Sequence, residues 1–155
     1  MPRLDLETIP QTNRTGYPPP FDQPVQGRWY RRLAPASGLI EFGASHVVLK
    51  PGAWSSQRHW HDDEDELLVM IAGEAVLVED GGRTILRPGD VCAWPKAMKN
   101  GHHLINESAS DCVFVCISGG NKDGSGGYTD IDMTFSGAGY FRKDGTPYPA
   151  TARPA

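Results

Sequence analysis

The sequence has few cysteines, no cluster of basic residues, no long apolar run and no convincing helical period. Cys92, Cys112 and Cys116 are an odd number in apolar, strand-like segments, so we expect reduced core thiols rather than a disulfide framework. The 15 Lys and Arg residues against 19 Asp and Glu residues give a net charge of −4, which disfavours nucleic acid and anionic membranes as partners. No apolar run is long enough to span a bilayer, and the first residues lack the apolar centre of a signal peptide. We therefore expect a soluble, cytoplasmic protein.

The chain does contain many short β-branched and aromatic segments that are separated by turn signals. Its 155 residues are enough for one core. The Asp-Gly-Gly sequence at 80–82 is a hairpin signal, because glycine adopts positive φ at little cost, and Arg-Pro-Gly-Asp at 87–90 is typical of a turn. Seven or more short strands predict an all-β, single-domain antiparallel barrel, and a jelly roll protects the edges of that many strands. The predicted strands cover residues 45–49, 67–71, 75–79, 83–86, 91–94, 103–105 and 112–117.

Two flanks are less regular than this central part. Both are rich in turn residues, and the C-terminal flank also carries aromatic and aliphatic side chains that can anchor it. We expect an N-terminal extension over 1–28, a barrel over 29–118 and a C-terminal extension over 119–155 that packs on the barrel or on a dimer partner. The apolar flanks favour a homodimer. Packing is a better interpretation of the tail than a lid that brings Asp130 or Asp132 to a site.

Four of the five histidines fall in two compact clusters. His59 and His61 are two positions apart, and side chains at i and i+2 of a strand share a face, so both imidazoles can reach one ion. Glu66 begins an apolar strand, where its carboxylate could bind the same ion. The other acidic residues at 62–65 are typical of a solvated loop.

The second cluster, His102 and His103, supplies a third imidazole. Strand alternation allows only one of the two to face the first pair, and alternation alone does not say which. The remaining histidine, His46, lies in a different strand and is interpreted as structural. Trp54, Trp60 and Trp94 are interpreted as core or interface aromatics, one of which could wall a pocket.

These residues and their spacing resemble the two motifs of the cupin superfamily. The first motif reads Gly, about five residues, His-x-His, three or four residues, Glu, six residues and Gly. This sequence matches it, with one extra residue after the first glycine, at Gly52, His59, His61, Glu66 and Gly73. The second motif begins Gly, five residues, Pro and ends His, three residues, Asn. Its two ends are matched by Gly89, Pro95, His102 and Asn106.

The second motif departs from the family pattern at one point. Ala97 occupies a position that is usually glycine, and two extra residues precede His102. The family spacing to Asn106 favours His102 as the ligand, with His103 as the alternative. The wider pattern is similar to small bacterial single-domain cupins, some of which are labelled sugar-phosphate isomerases.

The resemblance implies a metal site whose ligands are His59, His61, Glu66 and either His102 or His103. Three imidazoles and one carboxylate admit Zn, Mn, Fe, Ni, Co or Cu and disfavour Mg or Ca. Such an ion could polarise a carbonyl and stabilise an enediolate. The implied function is a metal-dependent isomerase or lyase of a small oxygenated metabolite, such as a sugar phosphate. The alternatives are a non-catalytic cupin that binds or senses a small molecule around a structural metal, and an iron-dependent dioxygenase.

The sequence offers weak candidates for the other roles that such chemistry needs. A general base could be Glu64, Asp130, Asp132 or the histidine that does not bind the metal. A phosphate would need an inward cation, for which the nearby candidates are Arg58, Lys96 and Lys99.

Overall fold

The computed structural model describes residues 3–121 and 123–149, so residues 1, 2, 122 and 150–155 of the expected extensions lie outside it. Apart from one helical turn, α1 (Leu33–Ala36), and 3-10 turns at Leu6–Thr8 and Gln23–Val25, the regular structure consists of strands. They are β1 (Arg28–Arg32), β2 (Gly43–Leu49), β3 (His59–His61), β4 (Glu64–Ala72), β5 (Ala75–Glu79), β6 (Gly82–Leu86), β7 (Val91–Trp94), β8 (His103–Ile105), β9 (Cys112–Gly120), β10 (Gly126–Tyr128), β11 (Thr134–Ser136) and β12 (Gly139–Phe141). In the described part of the chain, no helix has the length and apolar character that crossing a bilayer requires.

The strands form three antiparallel sheets. Their orders are β1-β2-β9-β4-β7, β6-β5-β8 and β12-β11-β10-β3. The all-β antiparallel fold predicted from the sequence is therefore confirmed. Each of the seven predicted strands is present, and the hairpin between β5 and β6 pairs Glu79 with Gly82, as the turn signal indicated.

The main core lies between the five-stranded and the three-stranded sheets. Alternation along β4 turns Leu68 and Met70 inward, where 4% and 1% of their surface is exposed, while Leu67 and Ile71 face outward. The inward residues of β5 and β8 include Leu77 and Leu104, which belong to the same cluster. Burial of these side chains, at about 25 cal/mol per Å² of apolar area, is the main force that holds the sheets together.

The two extensions pack against each other in a second apolar cluster at the third sheet. Tyr17 and Val25 from the N-terminal side meet Tyr128 and Met133 from the C-terminal side. The tail contacts the barrel by strand pairing, because β10 pairs with β3 along its whole length. The histidine-bearing strand is thus covered by the chain's own tail.

Five strands, β1, β3, β10, β11 and β12, lie outside the seven predicted ranges. For β1 and β10, the composition explains this. β1 has three arginines among its five residues, and β10 reads Gly-Gly-Tyr, which is typical of a turn. The glycines of β10 serve close packing instead. A Cβ at Gly127 would lie 2.5 Å from Cζ2 of Trp60, which stands opposite it in β3. Glycine is needed because the indole occupies the space of a side chain.

We expect Gly127→Ala to destabilise the protein by about 1–3 kcal/mol, because the added methyl group displaces the Trp60 ring. Thermal unfolding should show this as a Tm lowered by roughly 3–10 °C. Gly81→Ala is the matched control, since no atom lies within 4 Å of its Cβ position. An equal Tm for the two variants would contradict the proposed role of the close approach.

Candidate metal centre

Backbone pairing brings the two histidine clusters together. His59 and His102 exchange two backbone hydrogen bonds, with N···O distances of 3.2 and 3.0 Å, so their side chains lie on the same face. The centroids of the two rings are 5.4 Å apart. His61 lies two residues along β3 on the same face, and its Nε2 atom is 3.1 Å from Nε2 of His59.

Glu66 reaches the same point from the five-stranded sheet, where β4 holds it between Trp94 of β7 and Ser118 of β9. Its Oε2 is 2.9 Å from Nε2 of His102, and its Oε1 is 3.5 Å from Nε2 of His61. The ligand atoms of His59, His61 and Glu66 all lie within 4.8 Å of one another. One carboxylate and three imidazoles therefore converge.

In His59 and His102, the hydrogen bond of Nδ1 determines which nitrogen of the ring faces the centre. Nδ1 of His59 donates to the Gln57 carbonyl at 3.0 Å, and Nδ1 of His102 donates to the Asn100 carbonyl at 3.1 Å. Because a carbonyl oxygen can only accept, both Nδ1 atoms carry a proton, and the Nε2 atom of each ring faces the centre. This is the arrangement that protein histidines adopt when Nε2 binds a metal.

The charge state of the centre also suits a cation. Burial lowers the pKa of His59 to about 3, so its ring is neutral at pH 7 and its lone pair is available. Burial raises the pKa of Glu66, but the hydrogen bond from His102 and the neighbouring imidazoles outweigh this and bring it to about 2. The site presents imidazole nitrogens and a carboxylate, a donor set that fits a divalent transition metal.

The two histidines of the second cluster have different surroundings. His103 donates from Nδ1 to the Ser56 carbonyl at 2.9 Å, and its ring meets Trp54 edge-on with centroids 4.7 Å apart. His102 instead stacks on Trp94, with centroids 3.9 Å apart and planes 2° apart, and contacts Glu66. The structure brings His102, rather than His103, to the carboxylate.

The loop before His102 is tied to the ligand strand by Ala97. This residue has a φ of 64°, the left-handed conformation that explains why glycine usually occupies the position. Its N–H donates to the His61 carbonyl at 2.8 Å. The substitution of alanine for glycine is thus tolerated within an otherwise conventional turn.

The centre opens into a cavity of about 850 Å³ between the sheets. Glu64 lines this cavity, and its Oε2 is 4.0 Å from Nδ1 of His61. Asp130 and Asp132 do not line it. Asp130 forms a bidentate pair with Arg58, and Asp132 accepts a hydrogen bond from the Lys143 backbone.

The expectation that Arg58, Lys96 or Lys99 supplies an inward cation is wrong. The Arg58 guanidinium is held by Asp130 and Asp80, and both lysines are exposed outside the cavity. Two arginines of β1, Arg28 and Arg32, line the cavity, and sequence reasoning missed both. Alternation along β1 was the available signal, since Tyr30 is buried and Arg28 shares its face.

The C-terminal extension supplies a large part of the cavity wall. Tyr128 lies over His59 with ring centroids 5.8 Å apart, and Phe135 meets His61 edge-on at 5.1 Å. Tyr140 also lines the cavity. Their position in a turn-rich tail concealed this role in the sequence.

Comparison with known proteins gives one family and many similar folds. The Cupin domain family matches residues 45–118, and none of the curated proteins matches the chain. A cupin-superfamily sugar phosphate isomerase from Silicibacter pomeroyi is 36% identical, with a TM-score of 0.90 over 96% of this chain and 98% of that one.

Two further structures are more distant. A protein from Acidithiobacillus ferrooxidans, whose name provisionally gives the same activity, is 21% identical, with a TM-score of 0.68 over 73% of each chain. A Cupin 2 conserved barrel domain protein from Salinispora arenicola is 23% identical, with a TM-score of 0.54 over 76% of this chain and 86% of that one. At these identities, the likeness is one of fold.

The chelator-treated protein should lose stability as the pH falls from 7 to 5. The ordinary pKa of 6.5 in the unfolded chain falls to about 3 for folded His59, so below pH 6.5 only the unfolded state takes up this proton. The expected loss approaches about 1.4 kcal/mol per pH unit from this group. Urea unfolding at several pH values measures it.

His59→Asn provides the control for this measurement, because asparagine does not titrate. The variant should show a shallower pH dependence between 6.5 and 5, a range above the titration of ordinary carboxyl groups. An unchanged slope in His59→Asn would contradict the assignment.

Proposed function

The chain belongs to the cupin superfamily, and from this premise we propose that it is a metal-dependent isomerase or lyase of a small oxygenated metabolite. The observation that carries the proposal is the convergence of three Nε2 atoms and one carboxylate at the wall of a large cavity. The proposed ligands are His59, His61, Glu66 and His102. The sugar phosphate isomerase label of the 36% identical relative makes a sugar phosphate one candidate substrate.

The cavity favours an enzyme over a barrel with a purely structural metal. A structural ion needs only its ligands and a filled interior, whereas about 850 Å³ of space beside the ligands admits a small metabolite. When bound, a divalent transition metal acts as a Lewis acid that polarises a substrate carbonyl. Four protein donors leave coordination positions for substrate oxygens on an octahedral ion.

The remaining work falls to side chains of the cavity. Glu64 is the best-placed general base among the candidates, because its carboxylate lines the cavity beside His61. Its role would be to take a proton from a substrate carbon next to the carbonyl group and to return the proton to a neighbouring substrate carbon. Tyr128 and Phe135 pack against the ligand histidines and shield them on one side.

We expect gently purified protein to hold about one transition-metal ion per chain, as measured by elemental analysis. His59→Ala and His102→Ala should each lose most of the metal, because each removes one of four donors. His103→Gln should retain it, since Nδ1 of His103 contacts the Ser56 carbonyl instead of the carboxylate.

Circular dichroism and thermal unfolding of the same samples separate metal loss from unfolding. Metal retained equally in the three variants, or absent from the folded wild-type protein, would overturn the proposed site.

We also propose a homodimer, formed through the outer face of the five-stranded sheet rather than through the extensions. The extensions bury their apolar side chains within the chain, whereas Leu67, Ile71 and Val91 are 36%, 50% and 58% exposed on the sheet. A patch of neighbouring apolar residues is typical of a protein interface.

Light scattering at micromolar concentration should give a dimer mass for the wild-type protein. Val91→Lys should shift the mass toward the monomer, because it places a charge in the patch. Met98→Lys alters an exposed apolar residue in a loop and should leave the dimer intact. A wild-type monomer would contradict the proposal.

A further inference from the structure

Arg28 lies inside the barrel, on the face of β1 that also carries the buried ring of Tyr30. Its side chain lines the same cavity as the candidate metal centre. An arginine at such a position is unusual, because the burial of a cation is costly unless an anion compensates its charge.

The contacts of Arg28 leave part of its guanidinium unused. One terminal nitrogen donates to the Ser55 carbonyl at 2.8 Å, and the guanidinium carbon lies 5.3 Å from the centroid of the Tyr30 ring. Its Nε is buried and has no hydrogen-bond partner in the described structure. A buried donor without an acceptor is destabilising, and an oxygen atom of a bound ligand would satisfy it.

Arg58, another half-buried arginine of the site region, is compensated by carboxylates. Arg58 binds Asp130 through two nitrogens and also pairs with Asp80. Among residues 3–121 and 123–149, no carboxylate forms an ion pair with Arg28. Arg28 therefore has a buried donor that an anion could satisfy, in a cavity that Arg32 and the carboxylates of Glu41, Glu64 and Glu66 also line.

Arg28 and the candidate metal centre line one cavity and have neighbouring groups in common. The Cys116 thiol lines the cavity, and its pKa is raised to about 12, chiefly by burial, with Glu66 adding to the rise and Arg28 opposing it. Ser55, which anchors Arg28, precedes Ser56, whose Oγ is 3.3 Å from Nδ1 of His59. One small molecule could contact both regions.

We propose that Arg28 is the anion-binding residue of the cavity, and that the substrate carries an oxyanion, either a carboxylate or a phosphate, at the end opposite its reactive oxygens. The guanidinium offers several donors in a planar array, which matches two oxygens of either group. The contact of the substrate's reactive oxygens with the candidate metal centre rests on the proposed function. The anion site itself depends only on Arg28 and its surroundings.

The test uses full-length protein, treated with chelator and also loaded with Zn²⁺, titrated with inorganic phosphate and separately with acetate at constant ionic strength. In ¹H–¹⁵N spectra, the Nε–H signal that disappears in Arg28→Lys belongs to Arg28. We expect this signal to move saturably with at least one of the two anions. A response to phosphate alone indicates a phosphate ester as substrate, and a response to acetate indicates a carboxylate.

Backbone amide signals of Ser55 and Ser56 report binding in every variant. Arg28→Met, which keeps the aliphatic stem, should weaken anion binding about ten-fold or more, and Arg28→Lys should weaken it less because the charge remains. Arg83→Met is the matched control, since Arg83 pairs with Glu107 on an exposed strand outside the cavity. It should bind anions as the wild-type protein does.

The outcomes separate this inference from the proposed function. Equal anion binding in wild-type protein and in folded Arg28→Met, or no saturable shift with either anion, would overturn the inference while metal content remains a separate result. A shift at Arg28 in protein that never takes up metal would support the anion site and count against the metal-dependent reaction. Arg28→Met should also retain the wild-type metal content.

Discussion

The backbone pair between His59 and His102 is the constraint on which the rest of the site depends. Two reciprocal hydrogen bonds join β3 to the segment before β8, and they put imidazoles from distant parts of the chain on one face. Carbonyl groups then orient both rings, so that the Nε2 atoms face inward. The main chain thus sets the position of both rings, and the stacking of His102 on Trp94 adds to it.

Much of this fold could be predicted because its signals are local. The seven predicted strands between residues 43 and 120 are rich in β-branched or aromatic residues and are bounded by turn signals, and each of them is present. The spacing of His59, His61 and Glu66 likewise needs only strand geometry and the family pattern. Ala97 shows the limit of pattern matching, since a departure in residue type leaves the left-handed turn intact.

What could not be predicted depends on packing between distant segments. Strand alternation alone does not choose between His102 and His103, and it is the pairing of His102 with His59 that places His102 beside the carboxylate. The role of Arg28 was not predicted, because a strand with three arginines among five residues is not typical of a barrel interior. The glycines of β10 are typical of a linker in the sequence. In the structure they allow the ring of Trp60 to pack closely on the strand.

The tail that supplies the aromatic wall has a consequence for how such a protein can diverge. The candidate ligands lie in the barrel, between residues 59 and 102, whereas Tyr128, Phe135 and Tyr140 come from a separate C-terminal stretch that is paired with β3. The metal ligands and much of the cavity wall are therefore encoded in different parts of the sequence. A substitution confined to Phe135 or Tyr140 would change the shape of the cavity and leave every candidate ligand in place.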